Sequence, residues 1–308
     1  MAIGTINQTV AEQKRKFLNN YRKVQSLVHR EVIGLDDVIE YIFIAMLADG
    51  HVILEGEPGV GKTLVARTIA RTINVPSSYI QFTPETMPSD LFYSMDFLCG
   101  AGELKTMRDM TFRKGPIFSP IVIGDEINRA IPRIHGALLS PLEEKIVSLE
   151  GETHELGPFY FWIATQNPVE SSETTSQLPE ALQERFLFMI RMAYPEPELL
   201  RKITVHDTRP KSIFPVFEKE EIVFMRDIIF DRFVAGHQPD SPLISYIQRL
   251  VNAIHSHPVV RSGPGIRAAQ DLIRTAAAHA FLHEREQITF DDIKAMALPV
   301  LRFKFTCD

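Results

Sequence analysis

Cysteine is nearly missing from this chain: Cys99 and Cys307 are the only two in 308 residues. No disulfide framework and no Cys-x-x-Cys zinc or redox motif can be built from them. Long apolar runs are also missing. The longest plain one, Ile42-Phe43-Ile44-Ala45-Met46-Leu47-Ala48, is far too short to span a bilayer. The amino terminus, Met1-Ala2-Ile3-Gly4-Thr5-Ile6-Asn7-Gln8, has no apolar signal core, so a cytoplasmic chain without membrane insertion is expected. Nor is there an excess of positive charge. Lys and Arg number 33 against 39 Asp and Glu, a net −6, which excludes a basic nucleic-acid coat as a global property. What remains is ordinary globular material, 45% hydrophobic and 23% charged. At about 150 residues per domain, the length suggests roughly two domains, enough to bury a core without staples.

From about Ala11 to Val28, Phe17, Leu18, Tyr21, Val24, Leu27 and Val28 recur at helical spacing, with Lys14, Arg15, Lys16, Arg22 and Lys23 opposite. This short basic cluster reads as a solvated helix face. A second helix starts near Asp36 and stops at Asp49-Gly50. Short runs rich in aromatic or β-branched residues then predict buried strands at 51–55, 79–82, 121–123, 159–164 and 186–190. Helical segments separate most of them, which predicts an α/β fold with a five-stranded, mostly parallel, doubly wound sheet ending near Met192. Two interruptions stand out. Residues 90–120 form an irregular insert containing Gly100-Ala101-Gly102. Two alternating runs between Lys145 and Leu156 flank Glu150-Gly151, a hairpin signal. After Tyr194-Pro195-Glu196-Pro197 nearly everything is helical, with an apolar stripe at Ile266, Ala269, Leu272, Ile273, Ala276 and Ala280. Thr289-Phe290-Asp291-Asp292 supplies an N-cap and an acidic third position for the last helix. The expected divisions are an N-terminal helix (1–30), a nucleotide-binding core (31–194) and a helical domain (195–308).

Gly56-Glu57-Pro58-Gly59-Val60-Gly61-Lys62-Thr63 fits G-x-x-x-x-G-K-S/T between a predicted strand and a helix beginning near Leu64. Glycines let successive backbone N–H groups curl around phosphate oxygens, and the helix presents its positive end to the same place. Lys62 is expected on the β- and γ-phosphates and the Thr63 hydroxyl on Mg²⁺. A chance glycine turn would lack this strand and helix context. Asp125, at the end of the strand Ile121-Val122-Ile123-Gly124, is the expected second metal residue, and Glu126 can polarise an attacking water. No Asn is followed by Lys, so the guanine-reading motif is missing and ATP is favoured.

Through these residues the chain resembles the MoxR family of AAA+ ATPases, from about Val32 to about Phe303. Matching segments are Val32-Ile33-Gly34, Gly50 to Gly56, Gln81-Phe82-Thr83-Pro84 with Pro88-Ser89-Asp90, and Gly115-Pro116-Ile117-Phe118. Asp125-Glu126-Ile127-Asn128-Arg129-Ala130, Ala164-Thr165-Gln166-Asn167-Pro168, and Leu178-Pro179-Glu180-Ala181 with Arg185-Phe186 complete them. The resemblance implies a nucleotide-binding set of Val32, Ile33, Gly34, Glu57, Pro58, Gly59, Val60, Gly61, Lys62, Thr63 and Leu64. It gives Asn167 the part of sensor 1, Arg185 that of an arginine finger acting on a neighbouring subunit, and Arg267 that of sensor 2 from a helical lid. It implies ATP and Mg²⁺, a homo-oligomeric ring (usually a hexamer in this superfamily), and chaperone-like remodelling of protein complexes with a von Willebrand factor A domain partner. The insert and hairpin resemble the helix-two insert and pre-sensor hairpin of this clade. Gly124, Leu35, His135 and Ser140-Pro141 depart from the family's usual residues.

A nucleic-acid motor or loader, or a metal-chelatase subunit, is the alternative. The hairpin carries Glu150, Glu152 and Glu155 against one Lys145, the wrong sign for phosphates, and no nucleic-acid partner is expected. His279 and His283 stand at i, i+4 but without a third ligand at a recognisable spacing, and read as structural. His255-Ser256-His257 is equally unsupported, and Trp162 reads as core.

Overall fold

The computed structural model describes residues 2–94, 113–149, 151–168, 176–206 and 212–307, with only the backbone of 2–9, 94 and 113. The middle of the insert, including Cys99 and Gly100-Ala101-Gly102, and the hairpin tip Glu150 lie outside the described residues.

Five strands form the central sheet: β1 (Val52–Gly56), β2 (Ser77–Gln81), β3 (Ile121–Asp125), β4 (Phe161–Gln166) and β5 (Phe188–Met192). Their order is β2-β3-β4-β1-β5 and every pairing is parallel, so the sheet is wholly rather than mostly parallel. Strand periodicity divides its side chains between two cores. Val52, Leu54, Ile121, Ile123, Phe161, Ile163, Phe188 and Ile190 face one; Ile53, Val122, Trp162, Ala164 and Met189 face the other. Helices α1 (Ala2–Val28), α2 (Asp36–Leu47) and α3 (Lys62–Ala70) contribute to the first core, and α4 (Pro132–Glu144) to the second. The expectation that 79–82 is buried on both faces fails: Tyr79 is 39% exposed, because β2 is an edge strand. The edge strand β5 is buried, because α2 and the last helix pack against it.

Helix α1 begins nine residues before the periodicity announces it. Its apolar stripe is buried, with the Phe17 ring 4.7 Å from Phe217 and 5.7 Å from Phe281, and Tyr21 5.1 Å from Phe43. Its basic face is not merely solvated. Lys14, Lys16 and Arg22 pair with Glu286, Glu221 and Glu284, all from the C-terminal helical region. Exposed pairs of this kind are worth at most about 1 kcal/mol each, so the aromatic stripe, not the charge, seats the helix.

Beyond the sheet, the C-terminal region ends in the helices α5 (Ile266–Leu282) and α6 (Phe290–Leu301). Thr289 caps α6 in a capping box: its hydroxyl accepts from the Asp292 N–H, and its own N–H donates to Asp292 Oδ2 at 2.8 Å. In the predicted α5 stripe, Leu272, Ile273, Ala276 and Ala280 are buried, but Ile266 is 85% exposed. It is the first helical residue, on the turn before α5 reaches the core. The predicted hairpin pairs Ile146–Leu149 with Glu152–Glu155. No helix among the described residues is long and apolar enough to cross a membrane.

Candidate nucleotide site

Parallel strands end at one edge, and the site is assembled there from the C-terminal ends of β1, β2, β3 and β4. The loop after β1 is shaped by its glycines. Gly59 and Gly61 have φ of +88° and +94°, a region closed to most side chains. A Cβ on Gly56 would stand 2.5 Å from the Met192 carbonyl oxygen. Gly61 caps α3 with no side-chain bond, so the helix's first N–H groups are free of a capping side chain and fit an anion.

Lys62 is buried, and its Nζ donates to the carbonyls of Gly56 (2.5 Å) and Glu57 (3.0 Å) and to Asn167 Oδ1 (2.9 Å). Burial pulls its pKa below the usual lysine value, against the attraction of Asp125, Glu126 and Glu57. The Thr63 hydroxyl donates to Asp125 at 3.0 Å. These two hard oxygen donors suit Mg²⁺, which takes few protein ligands and keeps waters and phosphate oxygens for the rest.

Asp125 is held by two residues that sequence reasoning missed. The Thr165 hydroxyl donates to Oδ1, and the Tyr79 hydroxyl to Oδ2 at 2.6 Å. Burial and the neighbouring carboxylate push the Tyr79 phenol up to about 12, so it stays a donor. The Arg67 guanidinium lies 4.0 Å from the centre of the Tyr79 ring. Tyr79 carries a signal, since an aromatic in a strand two residues from Gln81 shares its face, but the same residue fits a buried strand equally well.

Glu126 has φ +57°, a backbone conformation that costs a non-glycine residue roughly 1–3 kcal/mol. Its N–H donates to the Thr165 hydroxyl at 3.0 Å. Its carboxylate accepts from Asn167 Nδ2 (3.1 Å) and Gln81 Nε2 (2.9 Å) and pairs with Arg129 at 3.2 Å. Asn167 therefore joins Lys62 to Glu126 through the two ends of one amide. Its own carbonyl oxygen accepts from Asn128 Nδ2 at 2.9 Å.

Of the segment Val32-Ile33-Gly34-Leu35, Leu35 comes nearest the loop. Leu35 Cδ1 reaches within 4.0 Å of where a Gly61 Cβ would be, and Gly34, at φ +77°, packs under Leu199 so closely that a Cβ would meet its side chain at 2.4 Å. Val32 is buried; Glu57, Pro58, Gly59 and Leu64 are exposed; Val60 is intermediate.

Arg185 and Arg267 are not in this cluster. Both grip one carboxylate that the sequence did not single out: Arg185 Nη2 lies 2.6 Å from Glu143 Oε2, and Arg267 pairs with Oε1. They line a cleft of about 200 Å³ with His51, Asp271 and Arg274. The cleft is at the opposite edge of the sheet, where Leu187 N–H donates to the His51 carbonyl at the start of β1 and β5. A five-residue strand of roughly 3.3 Å per residue separates the two edges.

The departures from the usual family residues have local causes. A Cβ on Gly124 would come within 3.0 Å of the Phe82 and Trp162 rings, so these large side chains occupy the space that a larger residue would need. Buried His135 bonds the Ile127 carbonyl at 3.0 Å. Trp162 is core, donating to the Tyr160 hydroxyl at 2.5 Å.

A glycine loop opening a helix, with acids at the tip of the third strand of a 2-3-4-1-5 parallel sheet, defines the class: a P-loop ATPase of the AAA+ type. Residues 51–188 match the ATPase family associated with various cellular activities (AAA), and residues 252–306 match an AAA lid domain. The chain is 38% identical over 271 residues to YeaC of Bacillus subtilis, covering 88% of this chain and 82% of that protein. It is 32% identical over 287 residues to Chaperone MoxR1 of Mycobacterium tuberculosis, covering 90% and 73%. A solved Cytophaga hutchinsonii structure, assigned as an ATPase, superposes with a TM-score of 0.82 at 29% identity, covering 98% of this chain and 91% of the other. The chain belongs to the MoxR family of AAA+ ATPases.

Proposed function

We propose that this protein hydrolyses ATP within a homo-oligomeric ring and uses the energy to remodel or mature protein complexes, with a von Willebrand factor A domain protein as partner. The observation that carries the ATPase reading is the unbroken chain Lys62–Asn167–Glu126 beside Thr63–Asp125. The loop N–H groups and Lys62 bind the phosphates. Thr63 and Asp125 hold Mg²⁺, which neutralises phosphate charge when bound. Glu126 accepts a proton from the attacking water, and Asn167 sets its orientation. The left-handed backbone at Glu126 is tied to Thr165, and its carboxylate is held by Asn167 and Gln81.

The position of the two arginines supports the ring reading. Arg185 and Arg267 sit a strand length from their own subunit's loop, so both serve the γ-phosphate of a neighbour. A guanidinium there supplies the bidentate positive charge that phosphoryl transfer demands. Against the nucleic-acid alternative, Lys145 is turned inward to Asp49 (2.6 Å), while Glu152 and Glu155 are exposed on the hairpin.

Mixing inactive variants tests the proposal. Arg185→Ala and Lys62→Ala subunits, each inactive alone, should regain part of the activity when combined, because the Lys62→Ala subunit donates an arginine to an intact loop. No recovery in mixed rings verified by native mass spectrometry would refute the trans assignment. ATPase stimulation by DNA at low salt would favour the alternative, and retention of the partner class by Glu126→Gln rings would support the remodelling role.

A further inference from the structure

The two histidines that sequence spacing left unsupported acquire a third ligand from a distant part of the chain. His279 on α5 and His283, the residue that caps its C-terminal end, face Glu40 on α2, and one donor atom from each lies within 4.8 Å of the others. His283 Nε2 is 2.9 Å and His279 Nε2 3.7 Å from the same Glu40 oxygen. In a tetrahedral zinc site with bonds near 2.0–2.1 Å, neighbouring donors stand about 3.3 Å apart, and the two observed separations bracket that value.

The other side of His279 is built as well. Its Nδ1 lies 2.7 Å from Asp292 Oδ1, on a side chain fully out of solvent. Asp292 also accepts from Arg285, from the Thr289 hydroxyl and from the Thr289 N–H, so it acts as an acceptor throughout. His279 therefore donates through Nδ1, and in the neutral form that binds a metal its Nε2 presents a lone pair toward Glu40 and His283. A carboxylate that fixes a histidine's tautomer from behind is the support that metal-ligating histidines ordinarily have. Arg285 is also near Nδ1 (3.1 Å), but it is paired to Asp292.

We propose that Glu40, His279 and His283 bind one divalent cation of the zinc class, joining the core helix α2 to the helix α5 of the same subunit. Two imidazoles and a carboxylate form a borderline donor set suited to zinc or cobalt(II) rather than to magnesium, and a fourth position is left for water. The site is separate from Thr63 and Asp125. Because α2 leads into β1 and the phosphate loop while α5 carries Arg267 at its start, the ion links the two elements that would bear on opposite nucleotides of the ring.

Zinc chloride titrated calorimetrically into the tag-free full chain should bind at one ion per chain. Cobalt(II) at the same stoichiometry should give the intense visible absorption of a tetrahedral site. Glu40 and His283 are part-exposed, so Glu40→Gln and His283→Ala should stay folded by circular dichroism, and each should weaken binding at least tenfold. Zinc should raise the melting temperature of the unaltered protein and leave that of His283→Ala unmoved. Failure of zinc and cobalt(II) to saturate, or unchanged binding in His283→Ala, would overturn the site; the latter would put the ion elsewhere, as on exposed Cys307. A melting temperature lowered by His283→Ala, with no response of the unaltered protein to zinc, would reduce the cluster to an ion pair and overturn it equally.

Discussion

The two edges of the central sheet carry opposite kinds of chemistry. At the C-terminal edge, a lysine, two carboxylates and five hydroxyl or amide groups satisfy one another within one subunit. At the N-terminal edge, two arginines share the single carboxylate of Glu143 beside a cleft. The first cluster is complete in geometry by itself. The second has cationic groups and no phosphate loop, and on the trans reading proposed above it acts where another subunit supplies one. On that reading, every interface in a ring of identical chains brings the loop cluster of one subunit to the arginines of the next.

Four measurements would break or sharpen that contrast. The largest effect is expected at the arginine edge: Arg185→Ala should lower ATP turnover by about 10³–10⁵ while leaving ATP affinity unchanged, since a finger acts on the transition state. Loss of ATP binding by calorimetry would move Arg185 out of that role. At the other edge, Glu126→Gln should bind ATP with Mg²⁺ and turn over about 10²–10⁴ more slowly. A drop of less than about tenfold in single-turnover assays would withdraw Glu126 as the base.

The third measurement concerns His51, which lines the arginine cleft. Trp162 N–H donates to its Nδ1 at 3.2 Å, and its Nε2 donates to the Leu142 carbonyl at 3.0 Å. Burial depresses its pKa from 6.5 to about 4, with Asp49 opposing and Lys145 and Arg226 assisting. The unfolded state then binds more protons than the native state, so this contribution is full above about pH 6.5 and is lost as pH falls toward 4. The loss reaches about 3 kcal/mol. Denaturant midpoints of the unaltered protein and of His51→Gln, compared across that window, should differ in slope by about one proton. Parallel slopes would remove His51 as the titrating group. The smallest effect is at Gly124. An added methyl must displace Phe82 or Trp162, so Gly124→Ala should cost about 1 kcal/mol in chemical denaturation, with nucleotide affinity retained. A stabilised variant would show that the rings yield without cost.

Some of this molecule was written locally. The glycine loop, Asp125-Glu126 and the strand runs are contiguous, and local spacing determines what a strand followed by a tight turn and a helix can be. The β2 edge was misread, because Tyr79 looks the same in sequence whether a neighbouring strand covers it or solvent does. Helix α1 was read short, because its first residues lack the apolar period.

The sequence by itself determined the phosphate loop, the acids of the third strand and the parallel α/β plan, because each depends on neighbours a few residues apart. Only the tertiary structure decided that Tyr79 and Thr165 hold Asp125, that Glu143 joins Arg185 to Arg267, and that Glu40 meets His283 from 243 residues away. Such pairings are set by how helices and strands pack, and no residue spacing records them. The same amino acids at the same intervals would serve as surface charge or as a site, according to which face the core turns toward them.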